Sequence, residues 1–121
     1  KLYIVDLGQR GHILPRQNYD LGFSLENLVY FELLRRGYRV MIGKIGSTEV
    51  DFVAEKQGAY TYIQVTADMT AEATFTREMR PLTLIRDNYE KIILTADRLT
   101  LGNYNGIQVK NLIDWLLGED V

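Results

Sequence analysis

Glu26, Asp51 and Gln64 are the side chains whose types and spacing could support chemistry in this sequence. Asp51 lies in a β-rich segment, 49–55, and Gln64 lies in a second one, 60–66. The short connection between the two segments predicts a hairpin, which would make Asp51 and Gln64 near neighbours on one sheet face. All three side chains carry oxygen atoms, the ligands that hard divalent cations prefer.

Strand alternation predicts which side chains share a face with Asp51 and Gln64. In the first segment, we expect one face to carry Glu49, Asp51 and Val53 and the other to carry Val50 and Phe52. In the second segment, we expect one face to carry Tyr62, Gln64 and Thr66 and the other to carry Ile63 and Val65. In the preceding helix, Glu26 and Glu32 are about 240° apart around the axis, so only one of them can face a given site.

Other interpretations of the same residues require no chemistry. Asp51 and a helix glutamate can form a buried polar network that is satisfied by backbone donors or by Arg77. Gln64 is of a type that commonly forms cross-strand hydrogen bonds, and Glu32 is typical of a solvated or ion-paired helix residue. His12 lies in a loop without a second histidine or any cysteine, so we interpret it as structural or incidental.

The rest of the sequence predicts the elements that must position these side chains. Apolar, β-rich runs predict strands at 2–5, 39–42, 49–55, 60–66, 91–95 and 107–109, with turns at 43–47 and 102–106. Helical spacing of apolar residues predicts helices at about 22–36, 72–86 and 112–117, the second interrupted or kinked by Pro81. Segment 9–20 is predicted to be mostly loop. This order favours an α/β (α+β) fold in which helices flank a central mixed sheet.

The composition limits the class of protein. A chain of 121 residues with 46% hydrophobic and 25% charged residues is expected to form one globular domain, 1–121. Its net charge of -2 provides no overall field for a nucleic acid, so any such contact would be local. No apolar run is long enough to cross a bilayer, which predicts a cytoplasmic protein without a membrane partner. Because the first residue is Lys1 rather than methionine, we expect a fragment of a longer chain.

The order of the polar residues resembles the pattern of PD-(D/E)XK nucleases. That pattern has a helix glutamate, an aspartate on a hairpin strand, and an acid or glutamine two residues before a lysine on the next strand. Glu26, Asp51 and Gln64-Val65-Thr66 occupy these places here.

A second, closer resemblance covers essentially the whole chain. Several segments are similar to the C-terminal domain of unknown function that follows the ATPase and winged-helix portions of a prokaryotic AAA-type ATPase family. These segments are 2–8, 26–33, 49–52, 62–65, 76–78, 86–89 and 113–117. The resemblance implies a restriction-endonuclease-like fold at the C-terminal end of a larger bacterial or archaeal ATPase.

The resemblance also implies roles for the polar residues. In the nuclease family, the aspartate and the following acid or glutamine position a divalent metal that polarises the phosphate and activates water. Asp51 and Gln64 would therefore be the ligands of Mg²⁺ or Mn²⁺. The family lysine falls at Thr66, which supplies no cation, and an amide at Gln64 adds no negative charge to a metal site. A replacement cation would have to come from elsewhere, with Arg77, Lys44 and Lys56 as candidates.

Three functions remain open on these grounds. The first is a degenerate nuclease-like accessory domain with a regulatory role or a role in recognising nucleic acid or a protein partner. The second is an active Mg²⁺-dependent nuclease acting on DNA or RNA, and the third is a protein-interaction domain with no nucleic-acid role. No Gly-x-x-x-x-Gly-Lys-Ser/Thr motif occurs, so ATP binding is expected only in another part of the full-length protein.

Overall fold

The computed structural model describes residues 2–6 and 24–118 of the chain. Their centre is a seven-stranded sheet in the order β1-β2-β3-β4-β5-β7-β6. The strands are β1 Leu2–Asp6, β2 Arg39–Ile45, β3 Thr48–Lys56, β4 Ala59–Thr66, β5 Glu90–Thr95, β6 Gly102–Tyr104 and β7 Ile107–Asn111. The helices are α1 Leu25–Arg35, α2 Glu72–Thr83 and α3 Leu112–Leu116. The prediction of a mixed α/β fold with a central sheet and flanking helices is confirmed.

The sheet is mixed in direction. β1 to β4 pair as antiparallel neighbours, β4, β5 and β7 run parallel, and β6 pairs antiparallel with β7. The predicted β3–β4 hairpin is present, and its two-residue turn, Gln57 and Gly58, has positive φ angles of 56° and 84°. Turns of this kind match the twist of the paired strands.

Each face of the sheet carries its own apolar core. The first core lies under α1 and α3 and includes Val29, Leu33, Phe52, Ile63, Val65 and Trp115. The second core lies under α2 and includes Val50, Val53, Tyr62, Met79, Leu82 and Ile93. Because β4 and β5 are covered on both faces, most of their residues are buried, as is typical of parallel strands between two helical layers.

A charged cluster joins α1 to α3. The Glu32 carboxylate accepts from the Arg35 Nη2 at 2.6 Å and from the Arg36 Nε at 2.7 Å. The Arg36 guanidinium stacks over the Trp115 ring, 4.3 Å from its centroid, and donates to the Trp115 carbonyl. The hydrogen bond from Arg35, reinforced by Arg36, outweighs desolvation and lowers the pKa of Glu32 to about 2. The interpretation of Glu32 as an ion-paired helix residue is confirmed.

Hydrogen bonds to Asp97 link the carboxyl ends of β4 and β5. Its side chain accepts from the Met69 backbone amide at 3.0 Å, from the Thr95 hydroxyl at 2.7 Å and from the Thr100 hydroxyl at 2.8 Å. Burial raises the pKa of Asp97, but hydrogen bonds from Met69, Thr95 and Thr100 outweigh it and hold the pKa well below its usual range. The segment after β4 is thereby tied to the segment after β5.

Two predicted turns are partly strand. The turn predicted at 43–47 is confined to Gly46 and Ser47, because β2 continues through Gly43 to Ile45. A glycine suits this position of β2 because its neighbours crowd the space of a side chain: a Cβ there would lie 3.0 Å from Val53 Cγ2. The turn predicted at 102–106 contains β6, and only Asn105 and Gly106 form the turn.

The helix predictions need adjustment at their ends. The predicted start at residue 22 and the predicted loop 9–20 lie outside the described residues, and so does His12. α1 begins after Ser24, whose hydroxyl caps the helix by accepting from the Asn27 amide at 3.2 Å. α2 ends at Thr83 rather than 86, and it continues through Pro81 for two more residues rather than being interrupted there.

In the described part of the chain, none of the helices is long and apolar enough to cross a membrane.

Candidate active site

A polar cleft of about 260 Å³ brings together Glu26, Asp51 and Gln64. Its walls are the first turn of α1, the start of β3, the end of β4 and one flank of α2. The lining residues are Glu26, Thr48, Glu49, Asp51, Gln64, Val65, Arg77, Glu78 and Pro81. The three side chains that the sequence singled out thus share one cleft, although they lie up to 38 positions apart in the chain.

Two hydrogen bonds between side chain and backbone join Asp51 to Gln64 and to the following residue of β4, Val65. The Asp51 amide donates to Gln64 Oε1 at 2.8 Å, and the amide of Val65 donates to Asp51 Oδ2 at 2.9 Å. The regular β3–β4 pairing ends at Phe52 and Ile63, one residue short of this pair. Side-chain oxygens therefore replace the backbone carbonyls of a ladder where the two strands separate.

A bulge in β3 orients Asp51. Met41 of β2 pairs with Val53 and Gly43 pairs with Val50, so that Ile42 alone faces both Asp51 and Phe52. An extra residue of this kind bends a strand and redirects its side chains. The bulge explains how the Asp51 carboxylate reaches along the sheet to the Val65 amide.

The bulge also makes the predicted faces of β3 wrong. Val50 and Val53 both belong to the second core, and Phe52 belongs to the first, whereas alternation predicted Val50 and Phe52 together. One inserted residue shifts the period-two pattern, and the sequence carries no glycine at that point to mark it. For β4 the prediction is confirmed, because Tyr62 lies in the second core and Ile63 and Val65 lie in the first.

Glu78 of α2 is a member of the cleft that the sequence interpretation missed. The Gln64 Nε2 donates to the Glu78 carbonyl at 3.3 Å and to its carboxylate at 3.4 Å. Glu78 directly precedes Met79 in the buried stripe of α2, so a signal was available in an acidic residue beside the apolar face. Gln64, which is only 4% exposed, thus connects β3, β4 and α2.

The other predicted residues are placed as follows. Thr66 does not line the cleft, and its hydroxyl donates to the Asp68 carbonyl at 3.3 Å. Lys56 lies elsewhere, donating to the Arg36 carbonyl at 2.7 Å over the Tyr38 ring.

Arg77 is the cation that lines the cleft. Its guanidinium is 68% exposed and lies 3.9 Å from the Glu78 carboxylate, which is a long contact for an ion pair. Lys44 is exposed on β2 and is paired in register with Glu49, but it does not line the cleft. Arg77 therefore shares the lining of the cleft with four acidic residues, Glu26, Glu49, Asp51 and Glu78.

The oxygen atoms implied as metal ligands are engaged by backbone amides. Gln64 Oε1 accepts from the Asp51 amide and Asp51 Oδ2 accepts from the Val65 amide, so a cation would compete with both bonds. Gln64 Oε1 already accepts one hydrogen bond and its nitrogen donates to Glu78, so a metal ion would have to use the remaining lone pair of that oxygen or displace the Asp51 amide. Within residues 2–6 and 24–118, no three or more histidine, cysteine or acidic side chains are grouped so that they could hold a metal ion.

The fold and the cleft define a mixed α/β domain with a polar cleft between its sheet and α2. The chain is 40% identical over 117 residues to an uncharacterized protein of Haemophilus influenzae, a similarity that covers 97% of this chain and 28% of that protein. The chain thus spans less than a third of the length of this relative. No family model matches the chain, and no solved structure is significantly similar to it.

Proposed function

We propose that this chain is a restriction-endonuclease-like accessory domain whose nuclease site no longer cleaves and which serves its protein as a regulatory or recognition module. The order of the site residues supports the proposal: a glutamate on α1, an aspartate on β3 and a glutamine on β4 follow the PD-(D/E)XK pattern. The geometry adds to this support, because all three side chains line one polar cleft.

The observation that carries the proposal is the hydrogen bonding of Gln64. An acid at this place would add negative charge beside Asp51, whereas the amide accepts from the Asp51 backbone and donates to Glu78. A buried amide that uses both ends in this way stabilises the junction of three elements. We infer that Gln64 serves the structure in this chain rather than holding a metal ion.

The position of the family lysine gives a second line of support. Thr66 is turned to the Asp68 carbonyl and contributes nothing to the lining of the cleft. Stabilising the charge that develops on a phosphoryl group needs a cation or a comparable donor near the reacting atoms. The cleft instead carries four carboxylates against one arginine, which opposes the approach of a phosphate.

The partners follow from the wider resemblance. We propose that the domain is C-terminal in an AAA-type ATPase, where the ATPase and winged-helix portions are its first partners and bind the ATP. The fraction of the Haemophilus influenzae protein that this chain matches, 28%, leaves room in such a protein for these portions. Cytoplasmic location is part of the same proposal.

The test is a titration of Mn²⁺ and Mg²⁺ into the domain by calorimetry, followed by cleavage assays on DNA and RNA. Asp51→Ala is the control in both measurements. We expect no cleavage that depends on Asp51. Metal-dependent cleavage by the wild type that disappears in Asp51→Ala would overturn the proposal.

Arg77 favours a second candidate, an active nuclease in which the arginine takes the place of the missing lysine. It is the cation in the lining of the cleft, with an exposed guanidinium. On this alternative, cleavage depends on both Arg77 and Asp51, and Arg77→Gln reduces the rate of cleavage as strongly as Asp51→Ala does. Cleavage that is unchanged in Asp51→Ala would come from a contaminant, whereas cleavage that is lost in Asp51→Ala but unchanged in Arg77→Gln would contradict a catalytic role for Arg77.

A further inference from the structure

A second and larger cavity lies on the opposite flank of α2 from the polar cleft. Its volume is about 760 Å³, and it runs between α2, the start of β5 and the β6–β7 turn. Met79, Leu82, Ile85 and Ile107 form its buried apolar floor. α2 therefore separates a polar, acidic cleft from an apolar groove on the same face of the sheet.

Aromatic rings line this groove at both ends. Phe75 of α2 and Tyr104 of β6 are in edge-to-face contact, with ring centroids 5.0 Å apart. At the other end, Tyr89 contacts Tyr60 edge to face at 5.3 Å and is 40% exposed. An exposed ring held by an edge-to-face neighbour leaves a surface on which a planar group can stack.

The negative charge of Asp87, which lines the groove, is balanced by the neighbouring Lys91. Asp87 accepts from the Tyr62 hydroxyl at 2.6 Å and from the Lys91 ammonium at 3.2 Å. Burial raises the pKa of Asp87, but the hydrogen bonds from Tyr62, the Tyr89 amide and Lys91 outweigh it and lower the pKa, so the carboxylate stays charged and paired. The groove therefore presents rings and the amides of Asn88 and Asn105 rather than a net charge.

The solvent face of α2 and the turn after it carry exposed arginines. Arg77 and Arg80 are one turn apart on the helix surface, and Arg86 lies between the groove residues Ile85 and Asp87. All three arginines are exposed. Among residues 2–6 and 24–118, neither Arg80 nor Arg86 has a carboxylate within 4.0 Å of its guanidinium.

Side-chain spacing separates Arg80 from the acidic cleft, whereas Arg77 lines that cleft. At 100° per residue, Arg80 shares the outer face of α2 with Ala73, Thr76 and Thr83, and Glu72 lies on the same face two turns away at the N-terminal end, while Glu78 faces the cleft. A polyanion would thus be attracted along the outer face and repelled from the cleft. This local charge is compatible with the overall net charge of -2.

From these features, we infer that the outer face of α2 and the aromatic groove form a binding surface for single-stranded nucleic acid. Arg80 and Arg86 contact phosphates, with Arg77 at the edge, and an unstacked base enters the groove against Tyr89. Arginines that follow the backbone, combined with rings on which bases stack, form the usual chemistry of single-strand binding. A duplex is excluded from this arrangement because its bases are already stacked and paired.

This inference extends the proposed function, but it concerns a different flank of α2. The test is fluorescence anisotropy with a labelled oligothymidylate of about 20 nucleotides, longer than the ~16 that single-strand sites reach. The buffer contains a chelator and ~50 mM salt, where phosphate contacts are strong. Cleavage cannot occur without metal, so binding is measured independently of whether the polar cleft is catalytic.

Each test variant has a control variant that makes the same type of substitution elsewhere on the surface. We expect the double variant Arg80→Gln with Arg86→Gln to weaken binding about tenfold. We also expect a shallower slope of the logarithm of the binding constant against the logarithm of the salt concentration, since each neutralised phosphate contributes ~0.7 to that slope for single strands. The control is Arg35→Gln with Arg39→Gln, which removes two exposed cations from other parts of the surface. We expect Tyr89→Leu to cost about tenfold through lost stacking, and the control Tyr3→Leu, at an exposed tyrosine on β1, to cost nothing.

Three outcomes would overturn the inference. The first is no binding by the wild type at ~50 mM salt, where contacts to phosphates are favoured. The second is an equal loss of affinity in the test and control variants. The third is binding of a duplex of the same length that is as tight as that of the single strand and insensitive to Tyr89→Leu. Circular dichroism of each variant confirms that a lost affinity does not reflect unfolding.

Discussion

The Asp51 amide donates to Gln64 Oε1 at 2.8 Å, while the Asp51 carboxylate accepts from the amide of the residue that follows Gln64, at 2.9 Å. The two residues therefore hold β3 and β4 together beyond the last regular pair of the ladder. Gln64 extends the connection to α2 through Glu78. The same amide that connects three elements stands where the nuclease pattern has an acid or a glutamine.

Gln64→Ala is expected to destabilise the domain by about 1–3 kcal/mol, because it leaves the partly buried Asp51 amide and Glu78 carbonyl without their partner. The measurement is urea unfolding followed by circular dichroism. Gln108→Ala is the matched control, since Gln108 is a half-buried glutamine of β7 with no side-chain hydrogen bond in the described part of the chain. We expect the control to change stability by less than about 0.5 kcal/mol. Equal effects would contradict a special role for Gln64.

Gly43→Ala tests the close packing of β2 against the bulged strand. The added Cβ would lie 3.0 Å from Val53 Cγ2 and 3.3 Å from both Leu2 Cδ1 and Val50 Cβ. Two of these neighbours are fully buried, so we expect overpacking to cost about 1–3 kcal/mol in the same urea measurement. Ser47→Ala, in the exposed turn that follows β2, is the control. A stable Gly43→Ala variant would show that the bulge region can move apart without cost.

Asp97→Asn is expected to lower stability at pH 7 by about 2 kcal/mol, because an amide accepts weaker hydrogen bonds than the ionised carboxylate. The pKa of Asp97 is depressed in the folded state, so its contribution is present above the unfolded pKa and is lost as the pH falls through the folded value. The difference in unfolding free energy between wild type and variant should therefore shrink below about pH 4. Asp68→Asn is the control, because Asp68 caps only Thr70 at an exposed site. A difference that does not depend on pH would contradict the assignment.

Glu32→Gln tests the charged cluster between α1 and α3. Because the cluster is largely exposed at Arg35 and screened by solvent, we expect a loss of only about 0.5–1 kcal/mol at pH 7. The pKa of Glu32 is lowered to about 2, so the loss should be complete above pH 4.5, the ordinary value, and should vanish as the pH falls toward 2. Thermal melts across this pH range give the measurement, with Glu72→Gln in the first turn of α2 as control. A loss that persists at pH 2 would point to packing rather than charge.

Local patterns in the sequence were sufficient for most of the elements and for three residues of the cleft, but not for β6 or for Glu78. Six of the seven strands and all three helices follow from apolar runs or apolar spacing, because all of them except the exposed edge strand β1 bury at least one face. β6, with only three residues, lies below the length at which alternation can be recognised. Glu26 was identifiable as an acidic residue early in a predicted helix and Asp51 and Gln64 as polar residues of a predicted hairpin, and the structure brings all three into one cleft.

The tertiary structure alone decided how the polar atoms of the cleft are used. Whether Gln64 faces a metal ion or a backbone amide depends on the β3 bulge, and no local pattern marks that bulge. The contact between Gln64 and Glu78 depends on how α2 crosses the sheet. Periodicity encodes which face of an element is buried, but hydrogen bonds between distant segments depend on shifts of a single residue that periodicity does not encode.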